Sequence, residues 1–362
     1  MIGQQIEQYR IETLLGKGGL GSVYRAQDIN LTRPVAIKVI YPHFTNQHTY
    51  HDHILREAKT AARLTHPSIA TIYNFEHNEH TLYIVMEYVP GQSLAGLLGK
   101  LRERHRILHL NETLHLVAQV ADALSYAHQQ GMLHRNLKPS NILVKPLSQP
   151  AAGEQTARAV VTDFGMTRLL HGDVKSAPVA LSDVLPYMSP EQCIGNPVDG
   201  RSDIYALSVI LYQLTTGTLP FDITSPTEAM VMHSLETPPS PRIRRPGIPK
   251  SVETIIKKGM SKQFKDRYQD AEQMADDLRQ AVAALAPANL QAYLPGVVTT
   301  LQALNPPPHA TDSEDSFNTT RPIDGWLPLP EDELISLLQA ELDGTPAEPE
   351  PVRNELPQAA SS

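Results

Sequence analysis

The sequence has little that would support an extracellular or membrane-embedded protein. It contains one cysteine, Cys193, so no disulfide can form within the chain, which suits a reducing compartment. No apolar run reaches the roughly 18–20 residues that a membrane-spanning helix needs, and the best candidate, around 281–304, is interrupted by prolines and polar residues. The first residues lack the basic-then-apolar pattern of a signal peptide. We therefore expect a cytoplasmic protein with no membrane span.

Excess positive charge is also missing, which argues against nucleic-acid binding. The formal net charge is −8, and from Asp312 onward there are 12 acidic and two basic residues. The rest of the chain, with 27 acidic and 29 basic residues, is nearly neutral and offers no basic surface to nucleic acid. With 362 residues, 41% of them hydrophobic, the chain can hold one large two-lobed domain plus an extension, or two to three small domains.

A glycine-rich turn is the first feature that indicates chemistry. Residues 9–40 show three short strand patterns, and Gly16-Lys-Gly-Gly-Leu-Gly21 joins the first two. Glycines let a backbone approach phosphates closely because no Cβ obstructs the approach. Taken alone, such a turn is more often an ordinary hairpin than a nucleotide site. Because it connects two strands rather than a strand and a helix, it argues against a dinucleotide-binding fold.

A lysine follows on the third strand pattern, Val35-Ala-Ile-Lys38, with apolar residues on both sides. This setting weakens the alternative interpretation, a surface lysine on an edge strand. A helical pattern at about 49–64 contains Glu57, which is either a solvated helix residue or a partner for Lys38. Two further strand patterns follow, at 69–76 and 82–89.

The chain from residue 92 to 286 is mainly helical in pattern and contains a series of polar motifs. Helical patterns lie at 110–128, 202–216, 226–235, 251–260 and 270–286, and strand patterns lie at 142–144 and 159–162. The motifs, in chain order, are His134-Arg-Asn-Leu-Lys-Pro-Ser-Asn141, Asp163-Phe-Gly165, Met188-Ser-Pro-Glu191, Arg201-Ser-Asp203 and Phe264-Lys-Asp-Arg267.

These motifs, in this order and spacing, resemble the Hanks-type, eukaryotic-like serine/threonine protein kinases of bacteria over about residues 9–282. The resemblance implies an α+β, two-lobed protein-kinase fold. A small β-rich N-lobe with helix C would occupy 1–89 and a larger helical C-lobe 90–286. It further implies that Asp203 binds the backbone of the catalytic loop and that Arg267 pairs with Glu191.

The resemblance also implies a complete site for ATP and Mg²⁺. Backbone amides of 16–21 would cover the phosphates, and Lys38, held by Glu57, would contact the α and β phosphates. Asn141 and Asp163 would hold the metal, and Lys138 would lie at the γ-phosphate. The residues implied around the nucleotide are Leu15, Gly16, Gly18, Gly21, Val23, Ala36, Lys38, Glu87, Val89 and Leu143, with Met86 at the back of the adenine pocket.

The acceptor side departs from the family pattern at two places. Asn136 stands where the family has a catalytic Asp, and its side-chain oxygen accepts hydrogen bonds but takes no proton at neutral pH. Asp183 and Val184 stand where the family has Gly-Thr, so a hydroxyl that would bond the catalytic Asp and Lys is missing. We therefore predict an ATP- and Mg²⁺-binding protein with weak or absent transfer to protein Ser/Thr, a pseudokinase scaffold or switch.

Two alternatives remain open at this point. The first is a catalytically competent serine/threonine protein kinase in signal transduction, which tolerates Asn136. The second is an interaction protein that no longer binds nucleotide, and the retention of Lys38, Glu57, Asn141 and Asp163 disfavours it.

Residues 287–362 are predicted to form a Pro-rich, acidic, disordered tail. Within it, 331–342 predicts a short amphipathic helix with Leu334, Leu337, Leu338 and Leu342 on one face. We expect 326–342 to dock into the groove of a protein partner or back onto the kinase lobes; a transient helix without a partner is the alternative.

Overall fold

The computed structural model describes residues 1–41, 56–78, 81–147, 156–164, 183–285 and 327–339. Within these ranges the chain has a first lobe made mainly of sheet and a second made mainly of helices, which confirms the predicted fold class. The glycine-rich turn belongs to the first lobe and the 134–141 motif to the second.

One antiparallel sheet makes up most of the N-lobe, with strand order β1-β2-β3-β4-β6-β5. Its strands are β1 (Gln5–Ile6), β2 (Tyr9–Lys17), β3 (Gly21–Asp28), β4 (Arg33–Ile40), β5 (Ile72–Asn78) and β6 (Thr81–Glu87). In the antiparallel pairing of β3 with β4, Val23 lies opposite Lys38.

The sheet has a buried cluster on each face, and alternate residues of β6 belong to different clusters. Tyr83 and Val85 are buried in a cluster on one face, while Ile84 and Met86 belong to a second cluster that includes Ala58. Ala58 lies in the helical residues 56–61 (α1). Since successive strand residues point to opposite faces, a slip of one residue would exchange the two sets. The burial pattern therefore fixes the strand register, and with it the position of Lys38 opposite Ile84.

The C-lobe is built around two long helices, α3 (Leu110–Gln129) and α5 (Gly200–Thr216), which pack against each other. The other helices in the described part of this lobe are α2 (Leu94–Glu103), α4 (Pro190–Cys193), α6 (Pro226–Ser234), α7 (Pro241–Arg244), α8 (Lys250–Gly259) and α9 (Ala271–Ala284). Short strands accompany them: β7 (Gln92–Ser93), β8 (Arg106–Ile107), β9 (Ile142–Pro146) and β10 (Ala157–Val161).

The predicted helices of the C-lobe agree with the structure to within two residues at each end. Helix α5 ends where Gly217 takes a left-handed backbone with φ 75°, a conformation that glycine adopts without steric cost. The predicted strand at 69–76 begins later, at Ile72, because Ala70 donates to the Val161 carbonyl at 2.9 Å instead of joining the N-lobe sheet. The first part of the helix predicted at 49–64 lies outside the described residues.

None of the helices in the described ranges combines the length and the apolar character that a membrane crossing requires.

The described part of the predicted tail packs against the chain's own C-lobe. Strand β11 (Leu327–Pro328) pairs in parallel with β8, and the Leu329 amide donates to the Ile107 carbonyl at 2.7 Å. Helix α10 (Glu331–Gln339) packs against β9, with Leu334, Leu337 and Leu338 buried. Docking onto the kinase lobes is thus the outcome that these residues show, whereas 286–326 and 340–362, with Trp326 and Leu342, lie outside the described residues.

Truncation of Leu338 tests whether α10 is part of the folded core. Because its side chain is fully buried, we expect Leu338→Ala to lower the free energy of unfolding by about 2–5 kcal/mol. Chemical denaturation measures the change. Leu327→Ala is the matched control, since Leu327 lies in the same segment and is 46% exposed. Equal midpoints for the two variants would show that the segment contributes nothing to stability.

Candidate active site

The catalytic-loop motif is held in place by the carboxylate of Asp203 on α5. Its two oxygens accept hydrogen bonds from the backbone amides of His134 at 2.8 Å and Arg135 at 2.7 Å. His128 on α3 adds a third contact of 2.8 Å from its Nε2. Burial would raise the pKa of Asp203, but the contacts with His128 and His134 outweigh it and the pKa is lowered. The predicted role of Asp203 in binding this backbone is therefore what the structure shows.

The ring of His134 connects this loop to the end of β10. Its Nε2–H donates to the Thr162 carbonyl at 3.0 Å, and its Nδ1 accepts from the Asn136 amide at 3.3 Å. Burial lowers the pKa of His134, which suits the neutral ring that this bonding requires. The ring also packs against Phe164 with 4.8 Å between centroids. The loop and the Asp163-Phe164 pair therefore form one unit.

Two residues with side-chain oxygens, Asn141 and Asp163, belong to this junction, where the Thr162 amide donates to the Asn141 carbonyl at 2.9 Å. Asn141 donates from its amide nitrogen to the Asn136 carbonyl at 2.9 Å, which leaves its side-chain oxygen as the atom suited to a cation. Asp163 has a left-handed backbone with φ 64°, a strained conformation of the kind that clusters at functional sites. A carboxylate and an amide oxygen are the hard ligands that Mg²⁺ prefers, so the pair fits that metal.

The buried Lys38 forms an ion pair with Asp163, with 2.8 Å between Nζ and Oδ2. Burial alone would raise the pKa of Asp163, but the nearby Lys38 ammonium outweighs burial and the pKa is lowered. Within the described ranges, no ion pair joins Lys38 to Glu57, which lies half-buried on α1 and is engaged by other groups. The structure thus brings Lys38 to the metal-side carboxylate rather than to the predicted helix C partner.

The apolar residues predicted around adenine fall into two adjoining groups. Val23 packs with Ala36 and Met86 under the N-lobe sheet, while Leu143 packs with Val89 across the two lobes. Leu15 is exposed on β2. The Glu87 amide donates to the Thr71 carbonyl at 2.8 Å, so of its backbone groups the carbonyl is the one left for a ligand.

The predicted loop glycines differ in what requires them. A Cβ on Gly21 would lie 2.1 Å from the Val39 carbonyl oxygen, so close packing of β3 on β4 already demands glycine there. A Cβ on Gly16 would meet nothing within 4 Å, and one on Gly18 would meet only the Gly21 carbonyl at 3.9 Å. Packing therefore does not explain the glycines at these two positions, which fits a turn that a ligand approaches.

The acceptor side contains a contact that the sequence patterns do not predict. Lys138 Nζ lies 3.2 Å from Oδ2 of Asp183, the acid at the family's glycine position. The Asn136 side-chain oxygen is buried and has no hydrogen-bond partner in the described part of the chain. Val184 precedes a short 3₁₀ turn, Leu185–Tyr187, and offers no hydroxyl. The sequence showed an acid at position 183, but the spacing between positions 138 and 183 gives no distance between their side chains.

A buried ion pair holds α4, the helix that carries Glu191 and Gln192. Arg267 donates to both carboxylate oxygens of Glu191 at 2.9 Å, as the sequence predicted. Burial would raise the pKa of Glu191, but the hydrogen bonds from Arg267 and Ser202 lower it below its ordinary value. Gln192 then donates to the Arg135 carbonyl at 2.8 Å, which connects this segment to the catalytic loop.

Comparison with known proteins agrees with this geometry. The protein kinase domain family matches residues 9–278. The chain is 35% identical to serine/threonine-protein kinase PrkC of Bacillus subtilis over 285 residues, which are 78% of this chain and 42% of that protein. It is 37% identical to serine/threonine-protein kinase pkn3 of Myxococcus xanthus over 279 residues, 75% of this chain and 49% of that protein. The chain thus spans less than half the length of these relatives.

A solved structure gives the same result. The crystal structure of the Mycobacterium tuberculosis PknI kinase domain is 27% identical, covers 77% of this chain and 98% of its own, and superimposes with a TM-score of 0.59. The chain therefore belongs to the protein kinase family. Its relatives place it among the bacterial Hanks-type serine/threonine kinases.

Breaking the Glu191–Arg267 pair should destabilise the C-lobe. Arg267→Ala leaves a buried carboxylate uncompensated, so we expect a loss of about 3–5 kcal/mol in the free energy of unfolding at neutral pH. The pKa of Glu191 is depressed from 4.5, so the contribution of the pair is complete above that pH and is lost as pH falls through the folded value. Denaturant titrations at pH 7 and at lower pH should therefore show a shrinking difference between wild type and Arg267→Ala.

The matched control for this experiment is Arg279→Ala. Arg279 is 48% exposed in its pairs with Asp122 and Asp276, so its loss should cost only about 0–1 kcal/mol. A similar loss for both arginine variants, or a difference that grows in acid, would contradict a structural role for the buried pair.

Proposed function

We propose that the chain binds ATP and Mg²⁺ and transfers phosphate to protein Ser/Thr weakly or not at all. The observation that carries this proposal is the coexistence of two features. Lys38 pairs with Asp163, whose neighbour Thr162 bonds the Asn141 backbone, while Asn136 has a buried amide oxygen where the family has a carboxylate.

The nucleotide side supports binding because its charges suit a magnesium–triphosphate ligand. Lys38 supplies a cation for phosphate oxygens, and Asp163 and Asn141 supply oxygens for a divalent metal. Held by these two residues, Mg²⁺ would supply positive charge against the negative charge of the phosphates. Lys38 and Asp163 form an ion pair of 2.8 Å. Both charged groups therefore lie side by side, where Lys38 could bind a phosphate and Asp163 a metal ion.

The acceptor side supports slow transfer. An amide at position 136 orients a hydroxyl by accepting its hydrogen bond, but it does not take the proton. General base catalysis contributes about 10²–10⁴-fold, or about 3–5 kcal/mol of barrier. Positioning and electrostatics supply most of the acceleration in phosphoryl transfer. Loss of the general base therefore slows the reaction but leaves these larger contributions in place.

The alternative proposal is a competent serine/threonine kinase that acts in signalling. Its support is the family itself, whose relatives carry that name, together with the retained Lys138 in the catalytic loop. Under either proposal the macromolecular ligand is a protein, a substrate or a partner. Helix α10 lies against the C-lobe, so a partner that binds 326–342 would have to displace it or bind its outer face.

Thermal denaturation with ATP, with and without Mg²⁺, tests nucleotide binding. At ligand concentrations near 100 times the dissociation constant we expect stabilisation by about 2.7 kcal/mol, a rise in Tm of about 5–10 °C. Lys38→Ala should reduce the shift, and Asp163→Asn should remove its Mg²⁺-dependent part. Lys250→Ala, which removes an exposed lysine, is the control. An unchanged Tm for wild type at millimolar Mg²⁺-ATP would refute the proposed function.

Restoring the acid at position 136 tests the acceptor side. With radiolabelled ATP and a generic protein substrate, we expect wild type to transfer slowly, close to the Lys38→Ala background. Asn136→Asp should raise the rate by about 10-fold or more, short of the full general-base factor because Val184 still lacks a hydroxyl. Fast wild-type transfer that Lys38→Ala abolishes would favour the competent kinase instead.

A further inference from the structure

Residues 327–339, the docked segment, complete the hydrophobic core of the C-lobe. Four of its leucines, Leu329, Leu334, Leu337 and Leu338, are each at most 4% exposed and belong to the main buried cluster of that lobe. Strand β11 of the segment is hydrogen-bonded to β8. Main-chain bonds to a strand together with buried side chains are the means by which proteins bind peptides specifically. The docked segment is therefore held as a peptide ligand would be, although it belongs to the same chain.

Helix α10 of the docked segment packs against β9, whose successive residues belong to two different clusters. Val144 is fully buried in the cluster that contains the leucines of α10. Its neighbour Leu143 packs instead with Val89, in the group of residues predicted around adenine. Since successive strand residues point to opposite faces, one face of β9 is turned to the core that α10 completes and the other to the cleft.

Strand β9 also connects α10 to the metal side and to the chain between the lobes. Asn141 directly precedes β9, and its carbonyl accepts from the Thr162 amide at 2.9 Å. Along its edge β9 pairs with β7, with Val144 opposite Gln92. A Cβ on Gly91 would lie 2.2 Å from the Val144 carbonyl oxygen, so the chain between the lobes rests closely on β9. A shift of β9 would therefore displace both this chain and Asn141.

We propose that docking of residues 327–339 strengthens the binding of Mg²⁺-ATP, because it holds β9 in the position that the nucleotide site requires. This inference rests on the proposed function. The docked segment and the arranged site occur together in the structure, with Lys38 paired to Asp163 and Asn141 bonded to the Asn136 carbonyl. Linkage makes the effect reciprocal, so nucleotide favours docking by the same factor. A protein partner that captured the docked segment would lower nucleotide affinity.

Amide hydrogen exchange of the full chain, with and without saturating Mg²⁺-ATP, tests the reciprocal effect. A helix of nine residues is marginal in water by itself, so undocking exposes the amides of Leu329 and Leu334. We expect them to exchange faster than amides of α5, most of whose residues are buried. Mg²⁺-ATP should slow their exchange by about 5-fold or more. The Leu235 amide, at the exposed end of α6, is the matched control and should not respond.

A substitution in α10 tests the same coupling from the other side. With a fluorescent ATP analogue and Mg²⁺, we expect Leu338→Ala to raise the dissociation constant by about 5-fold or more. Leu338→Met conserves most of the volume and should bind like wild type. Leu278→Ala removes an equally buried leucine from α9, which packs against α3, α5 and α8, and should leave the dissociation constant unchanged. This control separates a loss of core stability from a loss of docking.

Several outcomes would overturn the inference. One is unchanged exchange of the docked segment at nucleotide concentrations that raise Tm, and another is exchange of the segment at the rate of α5, which would mean that it has no separate undocked state. An unchanged dissociation constant in Leu338→Ala, or an equal rise in Leu278→Ala, would also contradict it. Tighter binding by Leu338→Ala would show that the segment opposes nucleotide. Absence of any Tm shift in wild type would instead refute the proposed function.

Discussion

The arrangement of the active site depends on one buried carboxylate. Asp203 accepts hydrogen bonds from two consecutive amides, and the second belongs to Arg135, whose φ of 62° lies in the left-handed region. An arginine does not adopt that conformation without cost, so the surrounding bonds must over-determine it. Because Asp203 lies on α5, most of whose residues are buried, its hydrogen bonds anchor the strained turn to the hydrophobic core. The ring of His134 in turn holds the end of β10, through its hydrogen bond to Thr162 and its packing against Phe164.

This framework explains how position 136 tolerates an amide. Its contacts to the framework are made by backbone atoms: the amide donates to His134 and the carbonyl accepts from Asn141. The side-chain oxygen makes none of these contacts and has no hydrogen-bond partner in the described residues. Asn and Asp have nearly the same shape, so the exchange changes the proton chemistry while leaving the loop and the metal-side ligands in position. Under the proposed function, nucleotide binding and proton transfer therefore depend on different side chains.

The sequence was sufficient to predict contacts between residues that belong to two recognisable motifs. Arg267 with Glu191 and Asp203 with the loop backbone are such pairs, because in each the carboxylate lies on a helix and its partner lies in a recognisable motif. The sequence was insufficient to predict which carboxylate pairs with a lysine whose side chain is long and flexible. Lys38 has a long, flexible side chain, and the sequence does not determine that it pairs with Asp163 rather than with Glu57. The docking of α10 likewise required knowledge of β8, a two-residue strand too short to leave a pattern.

The charged side chains of the cleft form two pairs although position 136 is neutral. Lys38 pairs with Asp163 and Lys138 with Asp183, so two cations face two anions. A phosphate that enters the cleft would meet the sum of these charges, because electrostatic attraction depends on summed charge more than on which residue supplies it. The two pairs differ in exposure, since the Asp183 side chain is 66% exposed and that of Asp163 is 23% exposed. Proton transfer depends on geometry at the scale of a hydrogen bond, whereas electrostatic attraction of a nucleotide depends mainly on charge.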